Sequence, residues 1–212
     1  MFEPKQDSRA EDLVWAAAIW PVPADTFLRG KFVELKLQSE NDAEELFTAL
    51  AFDEVWHHIP GRPKNVDELR QAIRTKKADP NWQAWTVRLV DTGEIVGSTS
   101  YLDTSVNDAR TEIGATSYSP KHWGTKVNPE TKLLLLEFAF EKLHMGRVQL
   151  KTDIRNQRSQ RAIAKLGAEY EGVLRRYQRR QDGTVRDTVL FSITAEEWPN
   201  VRARLEQRLA GE

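Results

Sequence analysis

Apolar residues recur along this chain with two different periods, and the switches between them mark its elements. Residues 31–37, KFVELKL, alternate apolar and polar, which predicts a strand with one buried face. Ser39 and Asp42 then form a loose capping pair, and Leu46, Phe47 and Leu50 repeat as the stripe of a helix. After the loop HHIPGRPKN, residues 66–77 return to the helical period. Residues 85–90 and 95–101 read as strands joined by Asp91-Thr92-Gly93, with glycine placed for the positive φ of a hairpin turn. Asn107-Asp108 turns the chain into a third strand, residues 111–118.

A strong helix start follows, with Asn128 as cap, Pro129 at the first helical position and Glu130 in the first turn. The helix LLLLEFAFEKL is predicted to end near His144, with Gly146 in the place of a C-terminal cap. Beyond it lie a strand at 147–152, a helix at 157–166 closed by Gly167, and a strand pair at 169–176 and 185–193 around Asp182-Gly183. A last helix covers 195–209. The order β-α-α-β-β-β-α-β-α-β-β-α predicts one mixed α/β domain (α+β, mixed sheet) built on a single sheet. Residues 1–26, with three prolines and the tryptophans Trp15 and Trp20, read as an arm that packs on a domain of residues 27–212.

Composition narrows the chemistry. The 212 residues are 40% hydrophobic, enough for a real core, and contain no cysteine, so disulfides, thiolate clusters and a cysteine nucleophile are excluded. Four histidines, two of them adjacent, do not suggest a metal site, and none is predicted. The net charge of −1 gives no bulk attraction to polyanions. No apolar run approaches the roughly 20 residues of a spanning helix, and the first residues do not read as a secretory signal, so the cytoplasm is the expected location.

Two segments carry candidate chemistry. HWGTKVNPETK, residues 122–132, sits between a strand and a buried helix, where unpaired amides and the helix dipole make an anion site. Gly124 would admit a ligand close to the backbone and Lys126 would add charge; plain helix capping explains the same residues equally well. In DIRNQRSQRAIAKLGA, residues 153–168, Asn156 and Ser159 lie one turn apart at the start of a short helix, and a simple cap with a solvated serine is the plainer account.

Taken together these segments resemble the acetyl-CoA-dependent GNAT acyltransferases, and within them the RimJ/RimL-type branch. The resemblance runs from about Gly30 to Ile193. Its sharpest element is the series Arg147…Asn156-x-x-Ser159…Lys165-Leu166-Gly167…Glu171-Gly172-x-Leu174-Arg175. One departure stands out: where the family's diphosphate loop reads (Gln/Arg)-x-x-Gly-x-(Gly/Ala), this chain has Trp123, Lys126 and Asn128.

The resemblance implies direct attack of an amine on the thioester of acetyl-CoA, without an acyl-enzyme. An α-amine, with a pKa of about 8, is easier to deprotonate than a lysine at about 10.4. Glu112 is then the candidate base, acting through water, with pairing to an arginine as the plainer role. Backbone amides around Ser117, Tyr118 and Ser119 are the candidate oxyanion donors. Ser159 is the candidate acid for the departing thiolate, Asn156 the holder of the pantetheine or of an ordered water, and Tyr177 a second-choice acid. Trp123, Gly124, Thr125, Lys126, Val127 and Asn128 complete the expected coenzyme site, and Trp56, His57, Ile59 and Tyr177 the acceptor pocket.

Charge is unevenly spread. Residues 38–54 hold six acids and no base, either a rim that draws cationic amines or a solvated helix face. Residues 147–186 hold eleven bases against four acids. That excess keeps an RNA- or ribosome-associated binding protein open as an alternative, though no aromatic RNA-binding signature accompanies it and nucleic acid is disfavoured as a partner. The lost loop glycine keeps a non-catalytic CoA sensor open as well. The expected partners are an amine acceptor, a peptide N-terminus or a small molecule, and a second copy of the chain.

Overall fold

A computed structural model of the chain describes residues 2–7 and 17–211. Its elements are the strands β1 (Phe27–Arg29) and β2 (Val33–Leu37), and the helices α1 (Ala43–Ala49), α2 (Asp53–Trp56) and α3 (Val66–Ala78). The strands β3 (Gln83–Leu89), β4 (Ile95–Ser105) and β5 (Arg110–Tyr118) lead to helix α4 (Val127–Glu137). Strand β6 (Arg147–Asp153), helix α5 (Gln157–Ala164), strands β7 (Glu169–Arg179) and β8 (Val185–Thr194) and helix α6 (Trp198–Ala210) complete the chain. All eight strands join one sheet in the order β1-β2-β3-β4-β5-β6-β8-β7. The mixed α/β architecture is the one the periodicity predicts, with β1 and α2 as additional short elements. Both are too short, at three and four residues, to show a period.

Period two divides the sheet into faces. Val33, Leu35, Trp85, Val87, Ile113, Val148, Leu150, Phe191 and Ile193 point to the side covered by α4 and α6 and form the main core. On the other side, Leu46, Leu69 and Ile73 of α1 and α3 pack with Ile95. In β6 the residues between the apolar ones, Gln149, Lys151 and Asp153, therefore face the α1–α3 side, together with Glu112 opposite Gln149.

Three boundaries differ from the sequence pattern. Helix α4 begins at Val127, with Lys126 already helical at φ −73, ψ −10, so Asn128 is a first-turn residue rather than the cap, and Pro129 lies third. Proline fits there because the first four N–H groups of a helix need no intrahelical partner. At the other end α4 passes into a five-residue π-helical turn, Phe138–Lys142, and the left-handed residue is His144 (φ 55), not Gly146. Finally, Glu130 serves more than a helix start. Its buried carboxylate accepts the backbone N–H groups of Lys31, Phe32 and Val33 at 2.8, 2.6 and 2.7 Å, tying the β1–β2 turn to α4.

Of the N-terminal residues, Ser8–Ala16, including Trp15, lie outside the described part. Residues 17–26 touch the domain at several points. Ile19 N–H donates to Leu143 O at 2.9 Å, Trp20 Nε1 donates to Pro80 O at 2.7 Å, and Val22 is buried.

Candidate active site

Strands β5 and β6 are parallel neighbours, and their pairing covers Arg110–Glu112 against Arg147–Gln149 and ends there. Beyond Glu112 the strands part. A bulge in β5, with Ala115 at φ 47 and a register break against β4 between Ser98 and Ser100, turns the strand away from its neighbour. A cleft of about 500 Å³ fills the gap, running from the loop before α4, at Trp123 and Gly124, to Asn156 and Ser159 on α5. The backbone of β5 past Glu112 faces it with no strand partner.

The alternation of β5 decides which amides reach this cleft. Ser119 N–H donates to Val96 O at 2.8 Å, so it belongs to the β4 side and is not available as an oxyanion donor. One residue earlier the direction reverses, which turns the Tyr118 amide toward the cleft. Ser117 and Tyr118 line the cleft; Ser119 does not.

At the entrance from the coenzyme side, Gly124 has φ +76 and open space where a Cβ would be. Val127 N–H reaches Thr125 Oγ1 at 3.3 Å and Pro129 has no N–H, so Asn128 presents the first-turn amide. Asn128 lines the cleft. Lys126 does not: its ammonium donates to Leu209 O at 2.7 Å and sits 4.9 Å over the Phe32 ring, on the far side of the helix start. Thr125 is exposed and donates to His122 O at 2.8 Å. The cation at this corner is instead Arg158, whose guanidinium lies 3.4 Å above the Trp123 ring and lines the cleft. Nothing in the local sequence distinguishes Arg158 from Arg155 just before α5 or Arg161 within it.

At the centre stands Glu112, 5% exposed, accepting from Lys151 Nζ at 2.7 Å and from Gln149 Nε2 at 3.4 Å. Burial pushes its carboxyl above the usual value, and Lys151 only partly offsets this. The pairing foreseen for Glu112 exists, with a lysine in place of an arginine. Lys151 also donates to Tyr177 Oη at 2.9 Å, which brings Tyr177 into the cleft wall. Burial alone would lower the Lys151 pKa, but its bonds to Glu112 and Tyr177 hold it above the usual value. On α5, Asn156 Oδ1 accepts Ser159 N–H at 3.0 Å, the plain cap, while the Asn156 amide nitrogen and the Ser159 hydroxyl remain for a ligand.

On the α4 side lies Lys132, a residue the sequence did not single out. It is 4% exposed and makes no ion pair among the described residues; Nζ donates to Thr116 Oγ1 at 2.7 Å and Thr99 Oγ1 at 3.3 Å. Burial without a counter-charge lowers its pKa to about 7. Its ammonium thus holds the side chain of the residue just past the bulge.

The expected acceptor residues gather where α2 and the following loop meet the β7–β8 hairpin. Trp56, His57 and Ile59 line an adjoining basin of about 550 Å³, and Ile59 also borders the main cleft. Trp56 is anchored by Nε1 donating to Leu50 O at 2.8 Å. The acidic stretch does not form a charged rim. Glu40 pairs with Arg74, Glu44 with Arg70, Asp42 and Glu45 with Arg88, and Asp53 with Arg62. Glu54 remains, exposed at the cleft. The basic stretch is also partly spent internally, on Arg147–Glu171, Lys151–Glu112 and Arg180–Asp153.

The mixed sheet, parted at one parallel pair, has a helix N-terminus at one end of the gap and polar side chains within it, a place for an extended ligand with an anionic end. Residues 33–169 match the acetyltransferase (GNAT) domain family, and the chain belongs to that family. It is 28% identical over 165 residues to the uncharacterised N-acetyltransferase YoaA of Bacillus subtilis (strain 168), covering 75% of this chain and 91% of that protein. A crystal structure of a candidate acetyltransferase from T. thermophilus matches with TM-score 0.81 at 36% identity, covering 90% of this chain and all of that one. Mycobacterium smegmatis RimJ, solved with CoA-disulfide, shares the fold at TM-score 0.75 and 22% identity, over 86% of this chain and 94% of that one. Among the described residues no helix is long and apolar enough to cross a membrane.

Proposed function

We propose that the protein transfers an acetyl group from acetyl-CoA to a primary amine by direct attack. The parting of β5 and β6 beyond Glu112 carries this reading: it leaves an unpaired strand edge beside the α4 N-terminus, where an extended amide-containing chain with a phosphate end fits. Asn128 N–H, the open backbone at Gly124 and the Arg158 guanidinium suit the diphosphate, and the edge of Thr116–Tyr118 suits the pantetheine amides.

The amine nitrogen bonds to the thioester carbonyl carbon, the carbon–sulfur bond breaks, and the thiolate takes up a proton. Glu112 removes the proton from the amine, directly or through water; its raised pKa makes it a stronger base than an ordinary carboxylate. The Tyr118 amide faces the developing oxyanion. Ser159, one turn into α5, supplies the proton to sulfur, and Asn156 orients the pantetheine. The resemblance of the series from Arg147 to Arg175 to the RimJ/RimL-type branch supports a protein N-terminus or a small amine as acceptor.

The test is direct. Acetyl-CoA is titrated by calorimetry, and CoA release is then followed with a panel of amines and N-terminal peptides. Saturable coenzyme binding with amine-dependent release supports transfer. Binding without release from any amine sinks catalysis, and absence of binding sinks the whole reading.

A further inference from the structure

Beside the cleft, the 550 Å³ basin shares His58, Ile59, Pro60, Asp153, Gln178 and Arg186 with it, so the two are continuous. The volume is that of a small-molecule site. Its charges do not balance internally. Asp153 is fully engaged: Arg180 Nε and Nη2 grip its two oxygens at 2.6 and 2.8 Å, and Arg155 N–H donates to it at 2.9 Å. Burial pulls the Asp153 pKa upward, but this fork and the Arg155 amide hold it below the ordinary carboxylate range. Asp182, in the hairpin turn, accepts from Thr184 N–H at 2.9 Å and Thr184 Oγ1 at 2.7 Å.

Arg186 is left over. It is half-buried, Nε donates to Thr188 Oγ1 at 3.0 Å, and among the described residues no carboxylate lies within ion-pair distance of it. Burial lowers its pKa, and the charges of Asp153 and Glu112, beyond ion-pair distance, only partly offset this. Arg186 has the strand parity of Thr188, which pairs with Asp153. It therefore shares the sheet face of Asp153, Lys151, Gln149 and Glu112. His58, whose pKa burial also lowers, stands on the opposite wall as a neutral imidazole at pH 7.

Resting on the acyl-transfer reading, we infer that the acceptor is a small amine that also bears a carboxylate, and that Arg186 receives this carboxylate while the amine lies at Glu112. A guanidinium fork matches a carboxylate in plane and donor spacing, and a half-buried one gains most from it. Polyamines fit less well, because a second ammonium would meet Arg186, and among the acids of residues 38–54 arginines already hold all but Glu54.

The experiment compares amino acids with their own carboxamides, for example L-phenylalanine with L-phenylalaninamide across a set of side chains, and adds spermidine. CoA release is measured with the full chain and acetyl-CoA. The amine of a carboxamide is less basic, so free-amine supply favours the amide, and any preference for the acid comes from the site. For the side chains that are accepted, kcat/KM for the acid should exceed that for the amide at least about tenfold. In Arg186→Gln that ratio should fall at least about tenfold through KM, and Arg186→Lys should recover part of it.

Amides or spermidine used as well as the acids, or a ratio unchanged in Arg186→Gln, overturns the inference while leaving acetyl transfer standing. Coenzyme binding without turnover of any amine overturns both. Should Arg186→Gln fail to fold, the wild-type acid-to-amide comparison and Arg186→Lys decide the matter.

Discussion

Replacing Lys132 by methionine should make the protein more stable. Lys132 is 4% exposed, and among the described residues its ammonium has two threonine hydroxyls but no anion as partners. Its pKa is about 7 in the folded chain against 10.5 when free, a difference worth about 5 kcal/mol between the two protonation states. The sign follows from proton counts. Between pH 7 and 10.5 the unfolded chain holds this proton and the folded chain does not, so wild-type stability rises with pH across that window. Below pH 7 both states are protonated and the full penalty applies.

Methionine keeps the length and apolar stem of the side chain and removes the charge. It strands no partner, because Thr99 Oγ1 and Thr116 Oγ1 also bond each other at 2.8 Å. Lys132→Met should therefore raise the unfolding free energy by several kcal/mol at pH 6. The gain should shrink steadily above pH 7 and vanish above about pH 10.5. Urea unfolding at pH 6, 8 and 10 measures this. A variant less stable than wild type at pH 6, or a gain independent of pH, would refute the reasoning and indicate an anion or water held at Nζ.

Other outcomes follow from the same geometry. Glu112→Gln and Ser159→Ala should each lower turnover at least about tenfold, about 1.4 kcal/mol in the barrier, with calorimetric coenzyme affinity nearly unchanged. Because burial raises the Glu112 pKa, kcat/KM should rise with pH through a limb lying above the usual carboxylate range. Lys151→Met, which removes the cation that favours the ionised form, should move that limb higher still. Glu130→Ala strands three backbone donors of the β1–β2 turn and should cost at least about 3 kcal/mol by denaturant unfolding, with Glu130→Gln losing less.

Local pattern carried much of this protein. Alternation in KFVELKL and RVQLKT, the Asp-Thr-Gly turn and the Asn156 cap are all decided within a few residues, because side-chain direction and capping depend on neighbours along the chain. The series around Asn156, Ser159 and Glu171 likewise marked the family, and Glu112 could be singled out from its strand. Pairing across the sheet was a different matter. Whether Glu112 meets an arginine or Lys151 depends on which strand lies beside β5. The acids of α1 look like a charged rim until the arginines of α3 and β3 are folded against them.

Lys126 shows the same limit from the other side: its neighbours suggested a phosphate ligand, yet the end of α6 takes its ammonium, while Arg158 reaches the corner from a helix some thirty residues on. Desolvation completes the division. Lys132 and Arg186 are ordinary cations in the sequence and become unusual only where the fold withdraws water without bringing a described carboxylate to ion-pair distance, because that energy depends on surroundings brought together from distant parts of the chain.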